Sequence, residues 1–185
     1  MLAAHAGDHK ARVDTAPAPL RDNASMLTEP DVLMADFSAA ADQLGLDGWP
    51  CNLHGELLPA PHRQTGLRPG FGAVYAFALS TRTTSAAGAG MVLKVGKVGP
   101  NSDARFRSQH DTTSGRSTLA KSLLTHRILW PWLGISQLDE ATVKPWMLSN
   151  LDRMHIYVPA TSLLVLVALE MYVRARIGSV FEGSA

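Results

Sequence analysis

Four polar side chains stand where chemistry is possible: Tyr75, Lys94, Arg105 and Glu170. Glu170 lies among Leu163, Leu164, Leu166, Val167, Leu169 and Val173, where an unpaired carboxylate is costly. It needs a cation, a basic partner or a wet cleft. A Mg²⁺ (or Mn²⁺) ion suits the first case, because such an ion takes few protein carboxylates and keeps waters. Pairing with Lys94, Arg174 or a neighbouring helix, or exposure to solvent, suits the others. Arg105 offers a planar fork for a phosphate; its plain alternative is a solvated helix arginine. Arg107 follows two residues on, about 200° around a helix, and stands as the alternative to Arg105. Tyr75 can orient or deprotonate a water if nearby cations lower its phenol pKa, and is otherwise a half-buried strand aromatic. Lys94 can act as base or phosphate contact, or face water from an edge strand. Lys97 adds positive charge at the same strand end. His110 is a phosphate contact, a proton relay or a helix cap. His126 and His155 have weaker claims, and the seven histidines show no zinc-ligand spacing.

These residues require elements to hold them. Gly72 to Leu79 has the β-branched and aromatic content of a strand, and Met91 to Val98 that of its hairpin partner. A short helix is expected from Asp103 to about His110, with Asn101 or Ser102 as cap. Ser117 opens another, which turns Leu119, Leu123, Ile128 and Leu129 to the core and ends at Pro131 and Gly134. Glu140 to Asn150 is read as a short helix, Met154 to Val158 as a third strand, and Thr161 or Ser162 to about Arg176 as the last helix. Upstream, Thr28 to Leu46 reads as a helix with Val32, Leu33, Phe37, Ala40 and Leu44 on one face. Gly48, Pro50, Pro59, Pro61 and Pro69 then interrupt regular structure up to Gly70. The expected division is a disordered tail over 1–26, a helix with a Pro/Gly-rich linker over 27–69, and one domain over 70–185.

Ala73-Val74-Tyr75 and Lys94-Val95-Gly96, followed by Arg105 and a late helical Glu170, resemble the motifs of the GIY-YIG nuclease superfamily. The resemblance covers residues 70–185, in a variant with Lys94 in place of the second motif's tyrosine. It implies an α+β fold, a small three-stranded antiparallel sheet flanked by helices, with a partly disordered N-terminal extension. It also implies a metal-dependent endonuclease that hydrolyses DNA phosphodiester bonds. Tyr75, Lys94, Arg105 and Glu170 are then catalytic, with Glu170 the Mg²⁺ (or Mn²⁺) ligand. Lys97, Arg107 and His110 contact nucleic acid. Ala73 and Val74 replace the Gly and Ile of the family name, and Glu182 stands near the position of a family asparagine.

Composition bounds this reading. The chain has 185 residues, 46% hydrophobic and 18% charged, which suits one folded domain with an appendage. The single cysteine, Cys51, excludes an internal disulfide and a cysteine-based metal site, and fits a reducing cytoplasmic setting. No secretory signal or membrane-spanning run is expected. Net charge is +1, yet residues 1–65 carry four basic groups against nine acids, and residues 66–185 carry 13 against seven. A basic half attracts polyanions such as DNA, or is simply solvated. Two further readings stay open: a catalytically inactive nucleic-acid-binding or regulatory module, and a protein-interaction adaptor.

Overall fold

The computed structural model describes residues 30–46, 52–108 and 118–181. Helix α1 (Pro30–Gln43) is followed by strands β1 (His54–Leu58), β2 (Phe71–Leu79) and β3 (Val92–Val98). Helices α2 (Asp103–Arg107), α3 (Thr118–Thr125), α4 (Trp130–Leu133) and α5 (Val143–Asn150) come next. Strand β4 (Leu151–Pro159) and helix α6 (Leu163–Ile177) complete the α+β fold. The proposed tail over 1–26 lies outside the described residues.

The sheet is antiparallel, with order β1-β4-β2-β3. It has four strands where three were expected. The additional one, β1, falls in the stretch read as an irregular linker. His54-Gly-Glu-Leu-Leu has no β-branched residue and only five positions, so nothing local marks it as a strand. Its pairing with β4 supplies what propensity does not. Strand β4 also runs longer than expected, from Leu151 rather than Met154.

Both faces of the sheet are covered, so β2 reads as a continuous apolar run rather than an alternating one. Ala73, Tyr75, Phe77 and Leu79 face one way and join Phe106, Leu119, Leu123, Leu133, Val143 and Met147 from α2 to α5. Val74, Ala76 and Ala78 face the other way, toward Leu33 and Phe37 of α1 and Leu166, Leu169 and Val173 of α6. Helix α1 presents Leu33, Phe37 and Ala41 at four-residue spacing, while Val32 and Leu44 are exposed. Leu33 and Phe37 of the expected face are buried, Ala41 takes the place of Ala40, and Val32 and Leu44 fall outside it.

The long helix expected from Ser117 is broken. Helix α3 stops at Thr125, a 3₁₀ turn covers Arg127–Leu129, and α4 is separate. Pro131 has no N–H, and its ring would meet the preceding turn of a continuous helix. Ile128 consequently points outward, 88% exposed, instead of into the core. Gly134 ends α4 at φ 72°, and a Cβ there would stand 2.1 Å from the Thr84 carbonyl oxygen. Only glycine suits that corner. Helix α5 starts at Val143, after Asp139 Oδ1 accepts the N–H groups of Ala141 and Thr142. Neither Ser102 nor Ser162 makes a side-chain capping hydrogen bond to its helix.

Strand β3 is an outer strand of the sheet. Along its first half, the N–H groups of Val180 and Phe181 donate to the carbonyls of Val92 and Leu93 at 3.0 and 2.9 Å. The segment after α6 therefore covers that edge.

Candidate active site

The hairpin positions Tyr75. Tyr75 faces Gly96 across the β2–β3 pair, and its ring lies over that glycine. A Cβ at position 96 would stand 2.6 Å from the Tyr75 hydroxyl, so the glycine lets the phenol cross β3. The Tyr75 pKa is raised, chiefly by burial. Arg105 and Arg153 pull it down and Glu170 pushes it up. The condition for proton removal, a pKa lowered by nearby cations, is not met, because loss of water outweighs them. Tyr75 stays a neutral phenol at neutral pH, suited to hydrogen bonding rather than to removing a proton.

Lys94 lies opposite Phe77, on the same sheet face as Tyr75. It is 4% exposed, so it is not the water-facing edge lysine that was one alternative. A register shift between Phe77 and Ala78 makes Leu93 an extra residue on β3, a bulge that turns Leu93 and Lys94 toward one face. Lys97 lies opposite Val74 and so faces α6.

There Lys97 meets Glu170: the ammonium donates to Glu170 Oε2 as a part-buried ion pair. Side-chain exposure is 38% for Lys97 and 13% for Glu170. Of the partners anticipated for Glu170, the structure gives a lysine, though not Lys94. Leu166, Leu169 and Val173 of the same helix are buried, whereas Leu163, Leu164 and Val167 are exposed.

Phe106 anchors α2. It is fully buried against the sheet, and Arg105 and Arg107 flank it on the exposed side. Arg107 Nε donates to Asp103 Oδ2 at 2.8 Å, its carbonyl accepts from Gln64 Nε2, and Asp103 Oδ1 accepts the Leu67 N–H. Arg107 therefore ties α2 to the segment before β2. Arg105 is the one whose charge acts on Tyr75. His110 and Glu182 lie outside the described residues. His126 stacks on Phe181 with centroids 5.7 Å apart, a packing role. Trp130 donates to the Leu123 carbonyl at 2.7 Å, also structural.

Sequence reasoning missed a polar row on the Tyr75 face. Arg153, His155 and Tyr157 alternate along β4 and lie opposite Phe77, Tyr75 and Ala73. Tyr157 donates to Glu56 Oε2 of β1 at 2.6 Å, and His155 Nδ1 lies 3.3 Å from that hydroxyl and 3.6 Å from the carboxylate. His155 is fully buried, and burial pushes it down to about 4, so it is neutral at pH 7. Contact with His155 and the Tyr157 hydroxyl, working against burial, holds Glu56 down at about 2. Burial, then Glu56, raises Tyr157. Arg153 stacks on Phe106 at 4.4 Å and Phe77 at 5.6 Å, and burial lowers its pKa to about 10. The guanidinium of Arg68 sits over the Tyr157 ring at 4.4 Å. The available signal was the two-residue period of Arg153, His155 and Tyr157 against Met154, Ile156 and Val158.

Among the described residues, no group of three or more His, Cys, Asp or Glu side chains gathers around a common metal position. A cation here would rest on Glu170 alone, whose Oε2 already accepts from Lys97, so it would have to displace that ammonium. One carboxylate with water matches the way Mg²⁺ or Mn²⁺ is held and not the closed sites of zinc. Among the described residues, no helix is long and apolar enough to cross a membrane. Comparison with protein-family models, curated proteins and solved structures finds no match to this chain.

Proposed function

We propose that the chain is a metal-assisted endonuclease of GIY-YIG type that hydrolyses DNA phosphodiester bonds in a reducing, cytoplasmic setting. The observation that supports this most is geometric. The Tyr75 phenol is laid across Gly96, Lys94 is buried on the same sheet face, and Phe106 packs into that face with Arg105 exposed beside it, while Glu170 meets Lys97 on the α6 side. The basic balance of residues 66–185 supports a polyanionic substrate.

In this reading Arg105, exposed beside the hairpin, binds a phosphate oxygen through its fork and offsets developing negative charge. Tyr75 acts as a neutral phenol, orienting a water or a phosphate oxygen by its hydroxyl. Lys94, buried on the same face, adds positive potential under the phosphate. Glu170 would hold the divalent cation, which supplies charge neutralisation and acidifies bound water. Lys97 contacts the phosphate backbone.

The test is nicking of supercoiled plasmid with and without Mg²⁺. Cleavage is expected to disappear in Glu170→Ala and Arg105→Ala while circular dichroism stays native. A second reading, a nucleic-acid-binding module without turnover, is favoured by the Lys97–Glu170 ion pair, which engages the only proposed metal ligand. Salt-sensitive DNA binding that survives both substitutions, with no nicking by any form, would select it.

A further inference from the structure

We propose that Lys97 is a resident counter-ion that keeps divalent cations off Glu170 until nucleic-acid phosphate draws its ammonium away. This rests on the reading of Glu170 as the metal ligand. Glu170 is the only charged side chain between Leu163 and Val173, and the helix turns it inward rather than to water. In that setting the carboxylate requires a positive partner at all times. Lys97 provides one, because its place opposite Val74 aims it at α6.

The pair is asymmetric. Glu170 is fixed by a packed helix and is 13% exposed, whereas Lys97 is 38% exposed on a flexible four-carbon stem. The ammonium can rotate into solvent without repacking the core. A single carboxylate is a weak site for a hard divalent cation, which needs several oxygen ligands. In the free protein the cation must therefore displace a lysine for one protein ligand. A bound phosphodiester changes both sides of that exchange. Its oxygens complete the cation's shell, and its charge gives the displaced ammonium a new partner. Cation and nucleic acid then bind cooperatively, and linkage makes the cooperativity reciprocal.

The experiment measures Mn²⁺ affinity by the electron paramagnetic resonance signal of the free ion, on the full chain. It is run with and without a phosphorothioate duplex that resists cleavage. In the wild-type protein the duplex is expected to raise Mn²⁺ affinity about tenfold or more, within the usual range of coupling between sites. Lys97→Met is expected to raise Mn²⁺ affinity about tenfold without the duplex and to shrink the further gain from it. Lys97→Arg, which keeps the charge, is expected to bind Mn²⁺ no better than wild type. Adding Glu170→Gln to Lys97→Met should abolish the gain. Equal Mn²⁺ affinity in Lys97→Met and wild type, or a gain that survives Glu170→Gln, overturns the proposal. Nicking without a Lys97→Met effect would refute the counter-ion role alone. The effect without nicking would refute the nuclease reading alone.

Discussion

The hydroxyl of Tyr75 occupies the space that a side chain at position 96 would need, at 2.6 Å from an ideal Cβ. These two residues form one fitted pair across the hairpin. Gly96→Ala is expected to displace the phenol and destabilise the fold by about 1–3 kcal/mol, as overpacking does. Tyr75→Ala removes the clash, so the double variant should be more stable than the sum of the two single losses predicts. Urea denaturation of the four forms measures this. Additivity within about 0.5 kcal/mol would show that the ring does not depend on the glycine.

Under the proposed nuclease reading, Arg105 and Arg107 are expected to differ in their effect on cleavage. Arg105→Ala is expected to lower plasmid cleavage by about 10²–10³, the usual cost of losing one transition-state charge contact. Arg107→Ala loses an exposed pair with Asp103 and should cost at most about 1 kcal/mol of stability. Its cleavage rate should stay within a few-fold of wild type. Comparing the two rates on one substrate at one salt concentration decides the matter, and equal losses would place both arginines on the phosphate.

The Glu56–Tyr157–His155 network predicts acid sensitivity. The folded pKa of His155 lies near 4 against 6.5 for the free side chain, so the unfolded chain binds the extra proton first. Stability is then fully present above pH 6.5 and falls as pH drops toward 4. For Glu56, depressed from 4.5 to about 2, the loss continues between those values. The His155 contribution is on the order of 2–3 kcal/mol. Urea midpoints measured from pH 7.5 to 4 should fall steadily in wild type and more shallowly in His155→Phe. Equal slopes would assign the acid sensitivity to other groups.

Tyr157→Phe removes one hydrogen bond to a charged acceptor and leaves the ring in place. A loss of about 1.5–3 kcal/mol is expected, from the typical strength of such bonds. Glu56→Gln should lose less, because an amide can still accept from the hydroxyl. Thermal melts of the two variants side by side give the order.

The parts of the molecule legible in sequence are those with local causes. Strands β2 and β3 show themselves by β-branched and aromatic runs, and α6 ends at Gly178 as its sequence indicates. Strand β1 has no such signal, because its stability comes from β4, about a hundred residues away. From sequence His155 has only a weak claim, because its partner Glu56 sits on that unrecognised strand. The separation of Lys94 from Lys97 was partly readable, since residues three apart on a strand point to opposite faces. Which face meets α6, and hence which lysine reaches Glu170, is decided by pairing register. A single bulged residue at Leu93 is enough to alter that register locally. The polarity of Tyr75's environment was equally hidden: the cations near it are visible in sequence, but the burial that outweighs them is a property of packed layers.

The two hydrogen bonds from Val180 and Phe181 to β3 have a consequence for self-association. A bare strand edge is a template on which a neighbouring molecule can add its own strand. Here the segment following α6 occupies part of that template, and the Phe181 ring is buried beneath it. Cutting the chain after Ser179 would leave the Val92 and Leu93 carbonyls without these donors. Such a truncated protein is expected to scatter light at concentrations where the full chain stays clear. Val180 and Phe181 are thereby expected to guard that edge against fibre-like growth.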